Sequence, residues 1–249
     1  MFEALKPNYA WAQQVPKDDK RIKAEYATVQ SPQGNGSIKG YLARPAAAGK
    51  HPAVVVVHEN RGLNDHIRDV ARRYALAGYR AVAPDLLSLA GGTPTNEDAA
   101  RDAIGKLDLG KTVTDAVGMV EELKKTSRGG KVGVVGFCWG GGFVNRLAVA
   151  AGDRLSASVA YYGPAPDPAE APKVGAPIML HDAGLDDRVN ATSFPWVNAL
   201  RAAGKTVKFY LYDGVNHAFN NDTSAERYNK AASDLAWGRS TRFFKRYLG

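Results

Sequence analysis

Five consecutive apolar residues, Ala53-Val54-Val55-Val56-Val57, stand directly before the polar pair His58-Glu59. A strand with one wet face alternates apolar and polar residues, and this run does not. It therefore has to be buried on both faces, as strands of parallel sheets are. The only economical way to cover two faces of a sheet is with helices on each side. Other strand-like runs occur at residues 79–83, 131–136, 155–161, 177–181 and 206–212. Stretches with helical spacing lie at residues 65–77, 96–104, 111–125, 140–151, 194–203 and 226–247. Ahead of them, residues 25–31 and 38–44 form an antiparallel pair across the turn Pro32-Gln33-Gly34-Asn35-Gly36. The expected fold is α/β, with a mostly parallel central sheet, an antiparallel N-terminal strand pair and helices on both faces. Residues 1–24 show no period and read as an irregular arm, with residues 25–249 as a single domain.

Composition removes several function classes. There are 33 Lys and Arg against 25 Asp and Glu, a formal charge of +8. The basic residues are scattered without a dense block, so a nucleic-acid partner is not expected. No apolar run approaches the roughly 18 residues of a membrane span. Residues 1–23 lack an apolar core and do not read as a signal peptide. The single cysteine, Cys138, rules out an internal disulfide and a multi-cysteine zinc site. A lone reduced thiol fits a cytoplasmic protein. Nothing in the sequence calls for a cofactor, and oligomeric state, monomer or dimer, is left open.

In parallel sheets chemistry gathers at the carboxyl ends of the strands. One strand tail stands out: Gly136-Phe137-Cys138-Trp139-Gly140. Its Gly-x-Cys-x-Gly pattern between strand and helix lifts the central side chain above the sheet at a helix N-terminus, where the partial positive charge favours an anion. A cysteine nucleophile needs a histidine, and the histidine an orienting carboxylate. Of five histidines, His217 follows the last expected strand and is the candidate base. The carboxylate is sought after the strand ending at His181, where Asp182, Asp186 and Asp187 compete. Asp182 is too near the strand end. Asp186 is favoured over Asp187 by its Asp-x-x-Val register. The segment His58-Glu59-Asn60-Arg61-Gly62 begins like a zinc-protease motif, but the second histidine that motif requires is Gly62, so no metal is expected. This segment also faces the carboxyl edge. The N–H groups of Asn60 and Trp139 are the candidate oxyanion donors, and Glu59 is a carboxylate in the site.

Four ordered motifs, His58-Glu59-Asn60-Arg61-Gly62-Leu63-Asn64, Gly136-Phe137-Cys138-Trp139-Gly140-Gly141, Gly184-Leu185-Asp186-Asp187-Arg188-Val189 and Gly214-Val215-Asn216-His217-Ala218-Phe219, with the strand Tyr79-Arg80-Ala81-Val82-Ala83-Pro84-Asp85-Leu86, resemble the dienelactone hydrolase (carboxymethylenebutenolidase) family of α/β-hydrolases. The resemblance spans about residues 25–249. It implies the α/β-hydrolase fold and a Cys138–Asp186–His217 triad that cleaves a small-molecule ester or lactone through a thioester. It also implies that Glu59 pairs with the resting Cys138. The alternative readings are a thioesterase or peptidase of the same fold, or a non-catalytic or redox-sensing protein that keeps it. The family's two substrate-holding arginines have no counterpart: one position falls in Leu86-Leu87-Ser88-Leu89 and the other is Asn221. Arg61 is the remaining candidate for a carboxylate clamp.

Overall fold

The valine run forms the centre of the sheet. In the computed structural model, which describes residues 13–31 and 34–249, strand β3 (Ala53–Val57) is buried at every position. Strand β4 (Arg80–Pro84) pairs with it in parallel on one side and β5 (Val132–Phe137) on the other. The sheet continues in parallel through β6 (Ala157–Tyr161), β7 (Ile178–Ala183) and β8 (Val207–Tyr212). On the opposite flank β2 (Gly36–Pro45) pairs antiparallel with both β4 and β1 (Ile22–Ser31). The eight-stranded order is β1-β2-β4-β3-β5-β6-β7-β8.

Strict alternation divides the core into two layers, because successive side chains leave a strand on opposite faces. Val54, Val56, Val135, Val159 and Met179 pack with helices α1 (Asp65–Leu76) and α6 (Lys230–Leu248). Val55, Val57, Val134, Ile178 and Leu180 pack with α3 (Leu109–Thr126), α4 (Trp139–Ala151) and α5 (Asp187–Ala202). Each such valine, fully buried, contributes about 1.5–3 kcal/mol, so both faces of β3 work to hold the sheet. The remaining helix, α2 (Glu97–Gly105), packs Ala100 and Ile104 against Leu87.

Several boundaries differ from the sequence reading. Strand β1 begins at Ile22, inside the expected arm, because its pairing with β2 runs on to Pro45. Of the arm, Val15 is buried in the core; residues 1–12, and Pro32-Gln33 of the hairpin turn, lie outside the described residues. Helix α5 starts at Asp187 rather than at residue 194, since Asp186 caps it through the Val189 N–H and Pro195 is accommodated inside it. Helix α6 starts four residues later than expected, at the Asn229 cap. No helix among the described residues is long and apolar enough to cross a membrane.

Candidate active site

The chain turns from β5 into α4 at Cys138, which adopts φ 55° and ψ −117°. That region is costly for a residue with a Cβ and persists only when its surroundings enforce it. Here they do. The Cys138 N–H donates to Tyr161 O, and its carbonyl accepts from the Gly142 N–H. Glycines on either side permit the close approach: a Cβ at Gly136 would stand 2.2 Å from Gly140 O, and one at Gly140 would stand 2.4 Å from His58 O. The thiol is thus raised at the carboxyl edge, at the first turn of α4.

Strands β7 and β8 deliver the two partners. The loop after β7 is tied to the loop after β8 by the Gly184 N–H to Tyr212 O and the Leu185 N–H to Val215 O bonds. This pairing brings His217 over the sheet. Its Nδ1 lies 2.5 Å from Asp186 Oδ2 and its Nε2 lies 3.1 Å from Cys138 Sγ. Asp186 serves two elements at once, since Oδ1 also accepts from the Val189 N–H at the start of α5. Burial works to lower the affinity of His217 for its proton, but the hydrogen bonds to Asp186 and Cys138 prevail and hold its pKa up at about 9. Burial likewise works to raise the Asp186 carboxyl, and the contact with His217 carries it below its usual range. Asp187, the alternative, is the first residue of α5, and it is Asp186 that His217 meets. Asp182 lies within β7, where burial pushes its carboxyl up to about 7.

Glu59 is buried, and its Oε2 accepts from Asn221 Nδ2 at 2.7 Å. Cys138 Sγ is hydrogen-bonded to His217, and among the described residues Glu59 Oε1 has no hydrogen-bond partner. Tyr162 escaped the sequence reading. It follows β6 with φ 36°, packs its ring edge-on to His217 at 5.1 Å, and carries a buried hydroxyl without a hydrogen-bond partner. Burial drives that phenol well above its ordinary 10, and the nearby charges of Glu59 and Cys138 add to the effect. The available signal was Tyr161-Tyr162-Gly163 at a strand tail, the position where the other site residues were sought.

A sequence model of the dienelactone hydrolase family matches residues 38–248. The chain belongs to the dienelactone hydrolase family. Over 109 residues it is 58% identical to the "Putative hydrolase fragment YghX" of Escherichia coli K12, covering 43% of this chain and 93% of that one. Over 235 residues it is 33% identical to a "Putative carboxymethylenebutenolidase" of Methylorubrum extorquens, covering 88% and 80% of the two chains. The crystal structure of a "Putative Dienelactone Hydrolase" from Klebsiella pneumoniae superposes with a TM-score of 0.79 at 27% identity, over 90% of this chain and 100% of that one. As a member of this family the protein is a carboxylic ester hydrolase with the α/β-hydrolase fold. Its Arg61 pairs with Asp98 of α2 at 3.1 Å, and Asn221 is engaged with Glu59. Of the candidate clamp positions, Arg61 therefore holds a paired cation, Asn221 a neutral amide, and the stretch Leu86-Leu87-Ser88-Leu89 no charge.

Proposed function

We propose that this family member hydrolyses a small ester or lactone through a thioester on Cys138. The observation that carries the reading is the single imidazole of His217 set between the Asp186 carboxylate and a thiol held in strained geometry. In the first half-reaction His217 Nε2 takes the Sγ proton as sulfur attacks the acyl carbon. The negative charge that develops on the carbonyl oxygen is received by the N–H groups of Asn60 and Trp139. Trp139 opens α4, and the first N–H groups of a helix have no acceptor within it. The tetrahedral adduct collapses, the C–O bond breaks, and the departing alkoxide takes the proton from His217. Water then attacks the thioester with His217 again accepting a proton; the C–S bond breaks, and the acid and the free thiol are released. Asp186 keeps the proton of the imidazole on Nδ1, so that Nε2 is free to act.

The test is Cys138→Ala on a panel of small esters and lactones, with intact-protein mass spectrometry of the wild type during turnover. A loss on the order of 10³-fold or more and an acyl adduct on the Cys138 peptide are expected. Near-wild-type turnover in the variant would refute the mechanism.

A further inference from the structure

His58 is fully buried and plays no part in the chemistry above, yet its contacts converge on that chemistry. Nδ1 lies 2.7 Å from Glu59 O. Nε2 lies 3.4 Å from the Leu86 N–H. A carbonyl can only accept and an amide N–H can only donate, so these partners place the proton on Nδ1 and leave Nε2 as acceptor. Burial lowers the affinity of the ring for a second proton, which agrees with a neutral imidazole of fixed tautomer.

The carbonyl that His58 grips belongs to the peptide unit joining Glu59 to Asn60. In a planar trans peptide the C=O and N–H point in opposite directions, and the described residues contain no cis bond. Fixing Glu59 O therefore fixes the direction of the Asn60 N–H. Glu59 O also accepts from the Gly62 N–H at 3.3 Å. Two donors on one carbonyl polarise the peptide and strengthen its N–H as a donor. The same ring stacks on Trp139, with centroids 5.7 Å apart and planes 13° from parallel, and Trp139 stacks in turn on Phe143 of α4. One side chain thus touches the peptide unit that carries one candidate oxyanion donor and the residue that carries the other.

We infer that His58 is a positioning residue for the oxyanion site, holding the Glu59–Asn60 peptide by hydrogen bond and the Trp139 residue by stacking. This rests on the proposed acyl transfer at Cys138. Binding of the ground-state ester does not need the donors aimed at an oxyanion; the transition state does. His58 should consequently act on kcat and leave KM nearly alone.

The experiment compares His58→Phe, which keeps an aromatic ring against Trp139 but donates nothing, with His58→Asn, which restores an N–H at the δ position, and His58→Gln, whose donor is one bond farther out. Ester kcat and KM are measured beside the rate of Cys138 alkylation by iodoacetamide, a displacement that forms no oxyanion. Loss of one oxyanion donor costs about 10²–10³ in kcat, and a misdirected one should cost about 10- to 100-fold. Expected are a kcat loss of that size in His58→Phe and His58→Gln, recovery to within about fivefold in His58→Asn, and KM and alkylation rates within about twofold of wild type throughout. Unchanged kcat in His58→Phe, or His58→Asn as slow as His58→Gln, would overturn the inference. So would alkylation falling in step with kcat, which marks general damage to the site. If His58→Phe does not fold, the Asn and Gln pair decides. Full esterase turnover in wild-type enzyme already alkylated at Cys138 would instead overturn the acyl-transfer reading, and this inference with it.

Discussion

In the proposed acyl transfer, His217 sets the pH range in which the site can work. Its pKa of about 9, against an ordinary 6.5, means that the imidazole, once it has taken the Cys138 Sγ proton, keeps it across neutral pH. That proton is what a leaving alkoxide requires, so kcat/KM should fall on an alkaline limb near pH 9. Asp186→Asn removes a contact that raises the pKa; the limb should move to lower pH and turnover should drop on the order of 10³-fold or more. Asp187→Asn should do neither, and the reverse ranking in the pH–rate profiles would sink the assignment. Stability follows the same sign. The folded pKa lies above 6.5, so the stabilisation from this proton is complete below pH 6.5 and is lost as pH rises through about 9. The identities of Cys138, Asp186 and His217 as partners were legible because each stands at a strand tail in a recognisable register. The attachment of Glu59 to Asn221 was not. Those residues are 162 positions apart, and only the packed loops show which side chains meet.

At the scale of the element, the turn from β5 into α4 is the most demanding piece of backbone in the site. A methyl at Gly136 would press on the Gly140 carbonyl, which is backbone and cannot rotate away. Gly136→Ala should therefore cost about 3 kcal/mol in urea denaturation, with loss of esterase activity wherever the variant still folds. Gly204→Ala, where an added Cβ has open space but φ is 69°, should cost about 1 kcal/mol. Element order and type were readable from apolar periodicity, and the fully buried β3 was the clearest case. Helix α5 was read seven residues short. The sequence pattern shows Asp186 only as a loop acid, whereas the same side chain also caps the helix. A residue with two roles leaves only one visible in a pattern.

For the molecule as a whole, charge and topology have separate consequences. The +8 charge attracts anions from a distance, but screening over about 8 Å at physiological salt leaves little selection among them. With Arg61 paired to Asp98 and Asn221 neutral, a substrate carboxylate meets no clamp at either position. A matched acid and methyl ester at high salt should have kcat/KM within about tenfold, with no advantage for the acid; a larger preference for the acid, above about 1.4 kcal/mol, would contradict this. A second network holds the molecule behind the site. Asp69 receives Arg72, Arg73 and the Val15 N–H, while Asp222 receives His66, Arg73 and Gln14. Burial opposes the charge on Asp222, yet His66 and Arg73 lower its pKa to about 2 from 3.8. Its stabilisation is present above pH 3.8 and lost as pH falls through about 2, about 2 kcal/mol that Asp222→Asn should abolish in acid titrations of the urea midpoint. The bond from Gln14 to Asp222 also has a meaning in time. Protein synthesis delivers Gln14 ahead of Asp222 by 208 residues. Until then the N-terminal segment lacks one of its docking partners and Arg73 has only Asp69. A nascent chain must wait for β8 and the loop that follows it before this network can close, so the network forms only after every strand of the sheet has been made.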